Sequence, residues 1–275
     1  MPDPMKARPR SANGSPARPG ESAPRRTPAA HRRPASQVTG ATAGLSARPG
    51  PVAPRTIATV LRRLGRAIEA MEAPTVEKVA RDEAGTPFRV LVATMLSAQT
   101  RDAVTEEASA RLFAAAPTPD AMARLPASRI ARLIYPVSFY RTKARHVKQT
   151  SRILVSRYGG RVPDDLDALL ALPGVGRKTA NLVLIVAHES RDRICVDTHV
   201  HRIANRLGWV RTRTPEETEQ ALYQVAPRRW WADINLHLVT WGQNVCRPVY
   251  PLCGACAIER WCPRIGVTKV GRSGR

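Results

Sequence analysis

The run Leu172-Pro173-Gly174-Val175-Gly176-Arg177-Lys178-Thr179-Ala180 sets two glycines around one apolar residue, with a lysine at the head of an apolar helical stretch. Glycine lets the backbone turn tightly and approach a ligand closely. A helix that starts there leaves unpaired N–H groups at the positive end of its dipole. Loop and helix together form an anion cradle, which Pro173, Gly174, Val175, Gly176, Arg177 and Thr179 would line. Lys178 then has two readings: one more phosphate contact, or a nucleophile held beside whatever carries that phosphate. As a nucleophile it must shed its proton, and an ordinary lysine, with a pKa of ~10.4, is neutral in about one molecule in a thousand near pH 7.4. Partial burial, the neighbouring Arg177 and the helix terminus would all favour the neutral amine.

A carboxylate follows about twenty residues later, in Val196-Asp197-Thr198-His199-Val200. Ahead of a helix, Asp197 is a natural N-cap. It could equally stabilise positive charge that develops on a substrate, and the two roles are compatible. There are five cysteines, four of them spaced Cys246-x6-Cys253-x2-Cys256-x5-Cys262. In a chain without a secretory pattern such a group reads as a metal site rather than disulfides. Only Cys253 and Cys256 stand as close as a zinc knuckle requires, and cysteine-only ligation also suits a four-iron cluster. The spacing by itself leaves both open. Cys195 lies outside the pattern and reads as a small buried filler. His199, at a helix start, reads as a structural hydrogen-bonding group, and His146, His188, His201 and His237 show no metal spacing.

The charge says what kind of ligand to expect. The 275 residues include 44 Lys and Arg against 22 Asp and Glu, a formal net charge of +22. That excess favours a polyanionic partner. No apolar run is long enough to span a bilayer and no signal pattern is present, so the expectation is a soluble intracellular protein with no membrane partner. Residues 1–55 hold eleven prolines, ten Lys and Arg, two acids and no aromatic residue. Such a stretch cannot bury enough surface to offset ordering, and reads as a disordered basic tail. It either adds non-specific phosphate binding or is a solvated linker. Its prolines argue against the amphipathic helix of a transit peptide.

The elements that must position these residues are helical. Ile57, Val60, Leu61, Leu64, Ile68 and Met71 recur at helical spacing. Thr86-Pro87 has the form of an N-cap and a first-turn proline, and Phe88 to Leu96 is apolar on most sides, as a central buried helix would be. Further helices fit near 103–114, 118–124, 127–134, 140–157, 165–171, 177–188, 198–207, 215–225 and 232–244. No run alternates as a strand would, so the class is all-α, with a short basic tail over 265–275.

Taken in order, five features resemble the endonuclease III branch of the helix–hairpin–helix DNA glycosylases. They are Leu96-Ser97-Ala98-Gln99-Thr100-Arg101-Asp102, the hairpin Leu172–Thr179, Val196–Val200, Gly242-Gln243-Asn244-Val245-Cys246, and the cysteine spacing. The resemblance covers roughly residues 56–264. It implies base-excision repair by a DNA glycosylase with abasic-site lyase activity, removing oxidised pyrimidines from duplex DNA. It implies two helical lobes flanking a DNA groove. One, residues 79–190, is a six-helix lobe with the hairpin; the other, residues 56–78 plus 191–264, carries a [4Fe-4S] cluster on Cys246, Cys253, Cys256 and Cys262.

The resemblance also implies roles. Lys178 attacks C1′ of the deoxyribose and forms a Schiff base that leads to β-elimination. Asp197, across the groove, stabilises the oxocarbenium character left as the base departs. Gln99 enters the gap left by an extruded nucleotide and bonds the orphaned partner base. Phe139 is either a second, apolar intercalating residue or an ordinary core residue. Ser97 and Asp102 shape and cap a helix end, while the cluster aims Arg247, Arg260 and Arg264 at the DNA backbone. The expected partner is double-stranded DNA with damaged pyrimidines or abasic sites, bound by a monomer in a bacterial-type cytoplasm at the nucleoid. A DNA-binding relative with weak or lost catalysis is the alternative. Monofunctional relatives usually lack the hairpin lysine, and the 8-oxoguanine branch generally lacks the cysteine loop.

Overall fold

A hydroxyl followed by a proline opens three of the helices. The side chains of Thr86, Thr118 and Thr214 accept from the N–H groups of Arg89, Ala121 and Glu217, and Pro87, Pro119 and Pro215 follow. The hydroxyl satisfies one orphan donor, and proline fills a position whose N–H has no partner in a helix. The computed structural model describes residues 52–82 and 85–272. Among these the fold is all-α, with no strand. The helices are α1 (Pro54–Ile68), α2 (Thr75–Arg81), α3 (Pro87–Ser97), α4 (Asp102–Ala115), α5 (Pro119–Arg124), α6 (Ala127–Ile134), α7 (Tyr140–Tyr158), α8 (Leu166–Leu170), α9 (Arg177–Ala187), α10 (Thr198–Arg206), α11 (Pro215–Val225) and α12 (Trp231–Asn244). None is long and apolar enough to cross a membrane.

Two large cores organise them. The first forms around α3, whose Leu91, Val92 and Leu96 are fully buried and whose apolar faces leave no side for water. Leu112 of α4, Ile130 and Ile134 of α6, Val147 and Leu154 of α7 and Val183 of α9 close over it. The second core packs Ile57, Leu61 and Leu64 of α1 against Val200 and Ile203 of α10, Leu222 of α11 and Leu238 and Trp241 of α12. The single buried stripe of α1, from Ile57 to Leu64, follows the helical period, so α1 lies on this core with its arginines outward. A small third cluster, Val76, Val90, Leu182 and Cys195, forms the seam where α2, α3 and α9 meet the chain leading into α10. Cys195 is fully buried there, as a filler should be.

Three sequence expectations change. The ordered chain does not wait for Thr56: Pro54 is the first residue of α1, inside the stretch assigned to the tail, because proline suits that position. Residues 1–51, the bulk of that tail, lie outside the described residues. Helix α2 was not foreseen, being only seven residues long with few apolar positions to establish a period. The described part of the 265–275 tail is folded back: Ile265 N donates to Arg206 O at 3.2 Å and Gly271 N to Pro251 O at 2.9 Å.

One ion pair ties α9 to α11 across the seam. The Arg177 guanidinium meets Glu219 with Nε at 3.0 and 3.1 Å from the two carboxylate oxygens and Nη2 at 2.8 Å from Oε1. Glu219 is buried, whereas Arg177 is well exposed. Replacing Arg177 with Met should therefore destabilise the fold by about 2–3 kcal/mol, because a buried carboxylate loses its charged partner. Chemical denaturation of the two proteins measures this, and Arg177→Met with Glu219→Gln should recover a large part of the loss.

Candidate active site

The hairpin is built from the core upward. Asp165 caps α8 by accepting from Ala168 N at 2.9 Å. Past α8, Val175 N bonds Leu172 O at 3.1 Å and closes the turn, and Thr150 of α7 holds Pro173 O at 3.0 Å. Gly174 has φ +79° and packs so closely on His146 that a Cβ would stand 2.6 Å from Nδ1. Only glycine satisfies both conditions. Gly176 differs: its φ is −96° and a Cβ there would meet nothing. The fold needs no glycine at this point, which leaves the open space in front of it as the reason for a bare backbone. Gly176 caps α9 without a side chain, so the first-turn N–H groups of α9 have no side-chain partner.

The expected anion-binding set is therefore sorted by structure. Gly174 and Gly176 present backbone at the surface, and Pro173 is half-buried. Val175 and Thr179 are buried side chains that pack inward, so they can meet a ligand only through the main chain. The Arg177 guanidinium is committed to Glu219 rather than free for phosphate. Lys178 is exposed, contrary to the partial burial expected of it. It is the second residue of α9, a position whose side chain leaves the helix end outward.

Lys178, Asp197 and Gln99 line one cleft of about 510 Å³, with α2, α12 and the start of α10 forming its other walls. Asp197 is the N-cap of α10, and both its cap bonds fall on Oδ1, from His199 N at 2.8 Å and Val200 N at 2.9 Å. Oδ2 is not used by the cap. Glu77 lines the same cleft, where burial pushes its carboxyl above the usual range and Arg81 works against that. Across the cleft, Asp102 Oδ2 accepts from Thr75 N at 3.2 Å and from Gln243 Nε2 at 3.1 Å, linking α2, α4 and α12. Gln99 occupies left-handed backbone, φ 55°, in the turn between α3 and α4, with its side chain exposed. Phe139 is 67% exposed, which rules out the core-packing alternative.

The position of Asp197 is set by side chains that sequence reasoning missed. The extended stretch before it has no ladder partner, and side chains hold three of its backbone groups instead. Asn181 of α9 donates to Ile194 O at 3.2 Å, Asn235 of α12 donates to Cys195 O at 3.1 Å, and Ile194 N donates to Tyr223 of α11 at 3.0 Å. Cys195 Sγ in turn reaches Lys178 O at 3.5 Å. The signal was present: Asn181 and Asn235 are amides inside otherwise apolar helical faces, and a buried amide needs a partner. Beyond Asp197, His199 Nδ1 meets Arg202 Nη2 at 3.1 Å, and Arg202 also donates to Cys246 O at 2.9 Å. Burial holds the His199 imidazole below its ordinary pKa, in keeping with an acceptor at Nδ1.

All four cysteines of the spaced set line a single cavity below α10, walled by Ile203, Leu207, Trp241 and Ile258. Arg206 Nη1 stands 3.4 Å from Cys246 Sγ and also holds Arg247 O and Pro248 O, both at 2.7 Å. The indole Nε1–H of Trp241 is buried on this cavity, beside the Cys256 thiol. Among the described residues no three His, Cys, Asp or Glu side chains close on one point as ligands of a single ion. Two of the three arginines expected to face DNA are occupied locally: Arg264 pairs with Glu259, and Arg260 lies 4.0 Å over the Trp261 ring. Arg247 is exposed.

Replacing Asn235 with Leu should leave Cys195 O buried and unpaired, which destabilises by roughly 1–3 kcal/mol. Because that carbonyl lies two residues before Asp197, base removal should fall while DNA affinity stays near that of the unmodified protein. Thermal melts, gel shifts and single-turnover rates on one variant check both halves.

Comparison with known proteins agrees with this geometry. Residues 92–228 match the HhH-GPD superfamily of base excision DNA repair proteins. Endonuclease III of Thermotoga maritima is 49% identical over 196 residues, which span 71% of this chain and 92% of that protein. Endonuclease III of Escherichia coli is 40% identical over 176 residues, 64% of this chain and 83% of that one. The structure superposes on endonuclease III from a non-covalent complex with DNA with a TM-score of 0.69 at 31% identity, covering 78% of this chain and 96% of the other. A lysine and a carboxylate at two helix starts in one cleft, above a four-cysteine cavity, thus occur in a chain that belongs to the endonuclease III family of helix–hairpin–helix base-excision repair enzymes.

Proposed function

We propose that this chain removes oxidised pyrimidines from duplex DNA and cuts the resulting abasic strand, with Lys178 as nucleophile and Asp197 as its charged counterpart. One observation carries the assignment: both residues line the cleft, each at the start of a helix, within a family whose members are DNA glycosylases and abasic-site lyases. The lone pair of Lys178 Nζ attacks C1′ as the glycosidic bond breaks, and the base leaves with that electron pair and takes up a proton. Asp197 Oδ2 lies free of the cap to stabilise the oxocarbenium character of the sugar. The nitrogen then gives up one of its two protons, O4′ takes up a proton as the C1′–O4′ bond breaks, and the ring opens to an iminium that keeps one N–H. That cation acidifies C2′–H, and loss of this proton expels the 3′ phosphate.

The hairpin backbone and the open N–H groups of α9 supply the phosphate contacts, aided by the net charge of +22. DNA laid over the exposed Lys178 excludes water from it. Gln99 and Phe139, exposed on strained turns, enter the duplex as wedges around the extruded nucleotide. We read the chain as two lobes, 79–190 and 56–78 plus 191–264, acting as a monomer at the nucleoid in the cytoplasm.

Cys246, Cys253, Cys256 and Cys262 fit a [4Fe-4S] cluster. The four thiols line one cavity, and the Trp241 N–H and the Arg206 guanidinium beside them are donors suited to cluster sulfur. When bound, the cluster supplies a covalent cross-link for the loop after α12, and no step of base removal runs through it.

Borohydride reduction with an abasic oligonucleotide should trap the protein covalently. Lys178→Gln should abolish that adduct and keep DNA binding, and an undiminished adduct in the variant overturns the nucleophile assignment. Separately, the purified protein should be brown and carry about four iron atoms and four sulfides per chain. Cys256→Ala should lose the iron and lower the melting temperature; one zinc per chain and no iron would replace the cluster assignment with a zinc site.

A further inference from the structure

Gln99 and Phe139 share a backbone peculiarity. Both are left-handed, with φ of 55° and 56°. Each is the third residue of a turn closed by an i→i+3 bond, Thr100 N to Ser97 O at 3.0 Å and Tyr140 N to Val137 O at 3.1 Å. Glycine or asparagine is the natural occupant of such a position, so a large side chain there is held against its own preference. The geometry does throw both side chains out of the fold.

A single ammonium holds the first turn and reaches the second through one shared hydroxyl. Lys143, one turn into α7, donates to Leu96 O at 2.7 Å, Ala98 O at 2.5 Å and Thr100 Oγ1 at 3.2 Å. The two carbonyls belong to the C-terminal end of α3, where helical acceptors lack partners and a cation is favoured. Thr100 Oγ1 also accepts from Ser138 N at 3.2 Å, directly before Phe139. The bonds thus run from the end of α3, under Gln99, to the turn that presents Phe139. Burial pulls the Lys143 ammonium down to about 8. Nothing in the chemistry assigned above uses this residue.

We propose that Lys143 is a positioning residue for nucleotide extrusion, fixing Gln99 and Phe139 as one rigid pair. It rests on the reading that these two side chains enter the duplex, and Lys143 itself makes and breaks no bond. Extrusion of a paired base requires unstacking and unpairing, whereas an abasic sugar has no base to unstack. A loss of positioning should therefore separate the two activities of the enzyme.

The test is single-turnover kinetics on two duplexes of the same sequence, one with thymine glycol and one with a preformed abasic site. Lys143→Met should slow removal of the base by about tenfold or more and leave strand cleavage at the abasic site within about threefold. Lys143→Arg, which restores a donor cation, should recover much of the base-removal rate. Thr100→Val, which removes the shared acceptor at nearly constant volume, should reproduce the split if the methionine variant folds poorly. Equal loss in both reactions, or no loss in either, overturns the proposal. Gln99→Ala and Phe139→Ala separate its failure from that of the wedge reading. If they are slow in base removal and Lys143→Met is not, only the role of Lys143 falls. If they remain fast, the wedge reading falls and takes the proposal with it.

Discussion

Two buried amides and a phenol fix the short extended stretch that ends at Asp197. A segment without a ladder must satisfy its N–H and C=O groups by other means, and Asn181, Asn235 and Tyr223 do so from three different helices. Asn181 shares α9 with Lys178, so the element that presents the amine also fixes the approach to the carboxylate. The relative placement of the two groups is thereby set by hydrogen bonds from three packed helices. Arg177 and Glu219 reinforce the same seam from outside.

The cysteine cavity reaches that site through α10. Its first turn is capped by Asp197 and its last turn carries Arg206, which bonds the chain around Cys246. Arg202 lies between, touching both His199 and Cys246 O. Gly242 allows this contact, since a Cβ there would fall 2.5 Å from His199 Nδ1. Whatever orders the cysteine loop thus also orders the far end of the helix whose near end presents the carboxylate.

Most helices were legible because their signals are local. Threonine before proline placed the start of α3, and the helical stretches read at 118–124 and 215–225 coincide with α5 and α11 almost to the residue. Helix α2 escaped because seven residues show no clear period. The chemistry-bearing residues were legible by type and spacing, but their surroundings were not. Sequence placed Arg177 in the phosphate cradle, yet its guanidinium belongs to a glutamate 42 residues away. It gave Lys178 partial burial, when the second position of a helix facing a cleft keeps the amine in water. It left Phe139 between core and surface, a choice made by a backbone angle that no composition reveals. Lys143 was invisible for the same reason: its three acceptors lie 43 to 47 residues away.

Cys195 sits against the backbone carbonyl of Lys178, wholly out of water, with burial pushing its thiol up to about 12. A sulfur so seldom ionised and so poorly reached is a weak target for peroxide. Oxidative stress is the condition that produces oxidised pyrimidines. The cleft thus carries a sulfur in its packing that is shielded from such chemistry by its burial.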